Sequence, residues 1–143
     1  MEVRRARMTD LGKIVEYMLD YHPTSNMSDI PFDRQSVVKV VEYFVLNRSY
    51  QPLIAVDKEE EIRGLLFGSL EPYFFNRKRC YGTDLLFISK GAGPQLWRNF
   101  KDWAFNSGAD RILVGVSSGD PRSNHLLEAL GMTSTGGMYE LRR

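Results

Sequence analysis

The sequence predicts a mixed α/β domain, a single sheet with helices on both faces, and three observations carry that reading. Short apolar or alternating runs at 2–7, 52–56, 62–70, 79–88 and 111–116 are interleaved with stripes of helical period. Two of those runs flank the acidic turn Asp57-Lys58-Glu59-Glu60-Glu61 and read as an antiparallel hairpin. A third run, Leu85 to Ile88, passes through Ser89-Lys90-Gly91-Ala92-Gly93 into a helix that Pro94 opens. The order is β-α-α-β-β-β-α-β-α-β, and 143 residues fit one domain, 1–143, with one proper core.

Each element has a local cause. After the first strand, Thr9 is placed to cap a helix whose stripe is Leu11, Ile14, Val15, Met18 and Leu19. That helix should stop near Tyr21-His22-Pro23, because proline disfavours helix in the residue before it. A polar loop, 24–31, follows. Asp33 then caps a second helix, with Val37, Val40, Val41 and Phe44 as its buried face. The loop 71–79 carries Tyr73, Phe74 and Phe75, for which packing on the sheet is expected. Leu96, Phe100 and Ala104 give the third helix its stripe, and Gly108 sits where a C-cap glycine belongs. Asp120 as N-cap, Pro121 and Gly131 delimit a last short helix holding Leu126, Leu127 and Leu130. Residues 132–143 can supply one or two final strands around Gly136-Gly137.

Composition excludes several classes. Nineteen Lys and Arg against 18 acids leave a formal charge of +1, so nothing calls for nucleic acid or a membrane surface. Cys80 is alone, which rules out an internal disulfide and suggests a reducing, cytoplasmic setting. No apolar run approaches membrane-spanning length, and the first residues, Met1-Glu2-Val3-Arg4-Arg5, do not read as a signal region. Cys80, His22 and His125 lack metal-ligand spacing, so no metal is expected.

The turn from 89 to 93 is the chemically suggestive stretch. Its glycines allow a tight strand-to-helix turn and leave N–H groups uncovered. Those groups, the positive end of the helix dipole and Lys90 together suit a phosphate. The spacing matches neither the P-loop nor the dinucleotide fingerprint.

The segment Gly91-Ala92-Gly93-x-x-Leu96-x-x-x-Phe100-x-x-Trp103-Ala104, followed by Gly108-Ala109 and the run 112–116, resembles the GNAT superfamily of N-acetyltransferases. A second match is Asn124-x-Leu126-Leu127-Glu128-Ala129-Leu130-Gly131-Met132, similar to the helix end that lies beside the coenzyme in that family. With the element order, the resemblance covers nearly the whole sequence. It implies a GNAT-like acyl-CoA N-acyltransferase fold and transfer of acetyl from acetyl-CoA, as co-substrate, to an amine acceptor on a small molecule or a protein. The pantetheine would lie between two splayed parallel strands, 85–88 and 112–116. Backbone groups of Leu86, Phe87 and Ile88 would receive it, and Lys90, Gly91, Ala92 and Gly93 would hold the pyrophosphate; the Asn124 amide could bond the pantetheine or the strand end, or simply face solvent from its helix. The resemblance also implies an acceptor site bordered by 24–31 and 71–79, and a dimer through the final strand is common in such folds. Two departures stand out: only Ser89-Lys90 remain of a longer phosphate loop, and Leu127 occupies the usual position of a tyrosine acid. They keep a second reading open, a catalytically degenerate CoA-binding or protein-interaction module.

Candidate catalytic groups are Asp84, Tyr81 and Tyr139. An amine with a pKa near about 10 is mostly protonated at neutral pH, so a base or water relay helps the attack. Strand alternation puts Tyr81 and Asp84 on opposite faces unless a bulge intervenes. Asp84 reads equally well as a carboxylate that bonds a strand edge or turn. Tyr139 could reach the thiol from the last strand.

Overall fold

The computed structural model describes residues 1–115 and 121–143. Among them, strands and α-helices run in the order β1 (Glu2–Arg5), α1 (Leu11–Tyr21), α2 (Arg34–Leu46), β2 (Tyr50–Val56), β3 (Ile62–Pro72), β4 (Cys80–Ser89), α3 (Gly93–Asn106), β5 (Ile112–Leu113) and α4 (Pro121–Ala129). The sheet order is β1-β2-β3-β4-β5. The first four strands pair antiparallel, and β5 joins β4 in parallel. The expected mixed sheet with one parallel pair is present.

Period-two alternation along β2 divides the core. Ile54 and Val56 join Ala6, Ile14, Val41, Ile62, Leu65 and Phe67 beneath α1 and α2. Leu53 and Ala55 join Leu66, Ala92, Leu96, Trp97 and Phe100 beneath α3. Phe100 is fully buried because β3 gives it room: a Cβ on Gly68 would lie 2.1 Å from the Phe100 ring. The missing side group lets α3 sit close against β3, so the α3 N-terminus meets the end of β4.

Two arginines fasten the first strand. Arg5 donates to the C=O groups of Phe44, Val45 and Asn47 at 3.0–3.2 Å, satisfying carbonyls that the end of α2 leaves without partners. Arg4 makes a bidentate pair with Asp10, at 2.7 and 2.9 Å. Asp10 also accepts the Arg7 N–H at 2.7 Å, and Arg4 holds its carboxyl below the usual value. This replaces the expected Thr9 cap: a 3-10 turn, Met8–Asp10, intervenes, and α1 begins at Leu11. Asp33 does stand at the N-cap of α2, but its carboxylate takes the Ser36 hydroxyl, not a backbone N–H.

Other elements depart from expectation for physical reasons. Val40 is half-exposed because the sheet-facing stripe of α2 runs through Val37, Val41 and Phe44. Phe74 and Phe75 project from the β3–β4 hairpin and pack on each other instead of on the sheet. The hairpin extends β3 to Pro72 and carries them past the helices. Among the described residues no strand follows α4. Thr133 to Gly137 offers only small polar residues, and β5 is two residues long, too short an edge for a ladder. Asp120 and Val116 lie outside the described residues.

Two outcomes follow from these contacts. Gly68→Ala drives a methyl into Phe100 and costs at least about 2 kcal/mol, measured by urea denaturation against the wild type. Asp10 has a lowered folded-state pKa, so its contribution is present above its ordinary value of 3.8 and is lost as pH falls through the lower folded value. Asp10→Asn should therefore lower stability at pH 6 and flatten the acid limb of a denaturation series run below pH 4.

Candidate functional site

The site is built where β4 leaves β5. Their ladder consists of Gly82↔Ile112 and Thr83↔Leu113 and then stops. The cause is visible on the other edge of β4. Phe67 pairs with Leu86 and Gly68 with Asp84, so Leu85 is an extra, bulged residue, 49% exposed. The bulge exchanges the edges of β4. Before it, the Gly82 N–H points to β5 and donates to the Arg111 C=O at 2.9 Å. After it, the Lys90 N–H points the other way and donates to the Arg63 C=O of β3 at 3.1 Å. The N–H groups of Phe87 and Ser89 therefore face the edge that β5 has left.

Asp84 stands at the fork. It shares a face with Gly68, toward α3, while Tyr81 and Thr83 face α1 and α2. Its carboxylate accepts the Gly115 N–H at 3.0 Å. Burial pushes its pKa up, and the Gly115 N–H opposes that shift.

The strand-to-helix turn is tight and partly self-satisfied. Ser89 Oγ accepts the Ala92 N–H at 2.8 Å. Gly91 has φ +89, so it, not Gly93, is the glycine that the turn requires for its backbone angle. Gly93 is the buried first residue of α3, and a Cβ there would lie 3.2 Å from Leu126 of α4. The Gly93 and Gln95 N–H groups open the helix with no carbonyl behind them in the helix to receive them. Lys90 is exposed beside them and borders a cleft of about 640 Å3 that also touches Arg63, Tyr17, Tyr21 and Arg34.

The sequence-chosen residues thus divide. Leu86, Phe87, Ile88, Lys90, Gly91, Ala92 and Gly93 form one continuous path along β4 and around the turn. Asp84 begins that path. The Tyr81 ring lies tilted against Tyr73, centroids 5.2 Å apart, near the hairpin, where Tyr73 donates to Asp110. Tyr139 is 99% exposed, although its neighbour Met138 lies 3.9 Å from where a Cβ on Gly115 would be. Asn124 and His125 are exposed on α4. His22 lies with Nε2 2.7 Å from the Ile30 C=O and its ring against Phe32, tying down the 24–31 loop. Ser89, Leu126 and Gly115 were not among the site residues that the sequence suggested. Only Ser89 had a signal, a hydroxyl three residues before an N–H at a helix start.

No protein-family model matches the sequence, and no curated protein sequence does. Solved structures match along its whole length. A transcriptional regulator from Bacillus halodurans C-125 superposes with TM-score 0.81 at 18% identity, over 99% of both proteins. An aminoglycoside antibiotic 6'-N-acetyltransferase from Acinetobacter haemolyticus superposes with TM-score 0.75 at 13% identity, over 100% of this protein and 98% of that one. A ribosomal-protein-alanine N-acetyltransferase from Brucella melitensis biovar Abortus 2308 gives TM-score 0.73 at 13% identity, over 100% of each. The fold is that of the GNAT acetyltransferases. Among the described residues no helix is long and apolar enough to cross a membrane, and no group of three or more His, Cys, Asp or Glu is placed to hold a metal.

The turn geometry makes its own test. Gly91→Ala places a methyl at φ +89 in otherwise open space, so strain alone acts. The variant should lose about 1 kcal/mol, the cost of a left-handed non-glycine residue, read from urea denaturation midpoints.

Proposed function

We propose that the protein is an acyl-CoA-dependent N-acyltransferase that moves an acetyl group from acetyl-CoA to an amine by direct attack. The observation that carries this reading is the opened β4 edge leading into the α3 turn. From Leu85 to Lys90 is five residue steps, about 16 Å at ~3.3 Å per residue, close to the reach of an extended pantetheine arm. A ligand arm can lie along that edge as a substitute strand, with its thioester carbonyl toward the Phe87 N–H and an amide carbonyl on the Ser89 N–H. A thioester at its end would then stand by the Leu85 bulge and Asp84, while its pyrophosphate would rest at the α3 N-terminus beside Lys90.

Residue roles follow from the placement. Backbone donors near Phe87 polarise the thioester oxygen, and such preorganised donors act on the charge that develops as the amine adds. The carbonyl carbon takes the amine's electron pair, the tetrahedral adduct collapses with cleavage of the C–S bond, and the proton lost by the amine nitrogen passes through solvent to the departing thiolate. The Gly93 and Gln95 N–H groups orient the pyrophosphate. Asn124, exposed on α4, would have to rotate inward to bond the pantetheine. The acetyltransferases among the structural neighbours are named for an aminoglycoside antibiotic and for ribosomal-protein alanine, which supports acetyl transfer as the chemistry without selecting an acceptor. Bordering loops at 24–31 and 71–79 are the proposed acceptor walls. A second copy joining through the 132–143 segment is the corresponding proposal for assembly.

Calorimetric titration with acetyl-CoA tests the binding half. The wild type should bind; Gly93→Val should weaken binding at least about tenfold, or 1.4 kcal/mol, because a valine there crowds Leu126 and the helix start. Lys90→Ala should weaken it less, and added salt should shrink that difference. Circular dichroism checks that both variants are folded. Thiol release over a panel of amines tests the chemical half: binding without release in every case would favour the degenerate CoA-binding module. Absence of wild-type binding would defeat the acyl-CoA reading.

A further inference from the structure

We propose that Asp84 is a positioning residue, whose carboxylate holds Gly115 at the β4–β5 fork and thereby keeps the β4 edge beyond it free for an extended ligand arm. The ligand is the acyl-CoA of the preceding reading, on which this inference rests.

The register makes the case. With Gly82 paired to Ile112 in parallel, the Gly115 N–H falls due to the backbone carbonyl of Asp84. The carboxylate of that same residue takes it instead, at 3.0 Å. The carboxylate rises from the α3 face of β4, so its bond to Gly115 stands in for the ladder bond that the backbone carbonyl would make. The Gly115 donor is satisfied without closing the ladder, so it does not pull the two strands together. One residue after Asp84, the Leu85 bulge turns the Phe87 and Ser89 donors toward the opened gap.

The surroundings favour this role over proton transfer. β3 faces Asp84 with Gly68, α3 presents Phe100 across that glycine, and β5 leads to Gly115. Burial is the main influence on its titration, opposed by the backbone N–H bonds, and among the described residues no charged side chain adds to it. A carboxylate engaged with a backbone donor is poorly placed to take a proton from an amine, and well placed to fix the spacing of two strands.

Asp84→Leu and Asp84→Asn separate the alternatives, because asparagine keeps the accepting oxygen and loses the charge. In titrations with acetyl-CoA, Asp84→Leu should weaken binding at least about tenfold, while Asp84→Asn should stay within about threefold of wild type. The Gly115 amide proton should shift with pH above 3.8, the ordinary carboxyl value, in the wild type and stay fixed in Asp84→Asn, read by two-dimensional NMR. Wild-type affinity in a folded Asp84→Leu would overturn the proposal. So would an Asp84→Asn below a third of wild-type affinity, or a Gly115 amide indifferent to pH. Should Asp84→Leu fail to fold, the asparagine variant and the amide titration decide. Absence of acetyl-CoA binding by the wild type would remove the acyl-CoA reading, and the amide titration would still show whether the clasp exists.

Discussion

The extra residue in β4, Leu85, is the constraint from which the site follows. A strand presents its backbone donors to alternate edges, so inserting one residue exchanges the edges for everything downstream. Before Leu85, β4 spends its outward donors on β5; after it, β4 faces β3 through Lys90 and leaves Phe87 and Ser89 facing the gap. The bulge also leaves Asp84 on the α3 face while Leu86 returns to the α1 and α2 core. A single insertion therefore ends the parallel ladder, opens an edge and sets a carboxylate at its start.

That opening is useful only if the helix after β4 arrives at the right place. Gly68 allows this by leaving empty the space that Phe100 needs, and Gly64 does the same for Leu96. Both glycines lie on β3, directly across from the part of β4 that carries the bulge and the turn. The close approach brings Ala92 to full burial and lets Ser89 cap its N–H. A tight turn, a helix start whose first N–H groups have no carbonyl within the helix, and a nearby Leu126 on α4 are consequences of that packing. Lys90 adds charge at the rim, where solvent screens it.

Electrostatics at the two ends of β4 differ in kind. Toward the hairpin, Tyr73, Arg79 and Asp110 satisfy one another, and Arg111 lies over the Tyr73 ring, so Tyr81 sits in a finished aromatic and ionic cluster. Toward the fork, the Asp84 carboxylate accepts the Gly115 N–H and has a pKa raised by burial. The first arrangement fixes a hairpin; the second leaves a perturbed carboxylate beside an open edge, the kind of position where function concentrates.

The element order, the strand-to-helix turn and the helix stripes were legible in the sequence because they rest on local rules. Pro94 favours a helix start, Gly108 and Gly131 take the left-handed angles that end helices, and Leu96, Phe100 and Ala104 mark one face. Those rules read as far as the path Lys90 to Gly93 and the alternation that set Tyr81 against Asp84. The bulge at Leu85, the partner of Asp84 and the choice of Gly91 as the left-handed glycine were decided by tertiary structure. Each depends on registers between strands distant in sequence, Phe67 against Leu86 or Asp84 against Gly115, which no local pattern encodes. Residues 132–143 show the same limit from the other side. Their composition permits a strand, but a strand needs an edge to pair with, and two residues of β5 do not provide one.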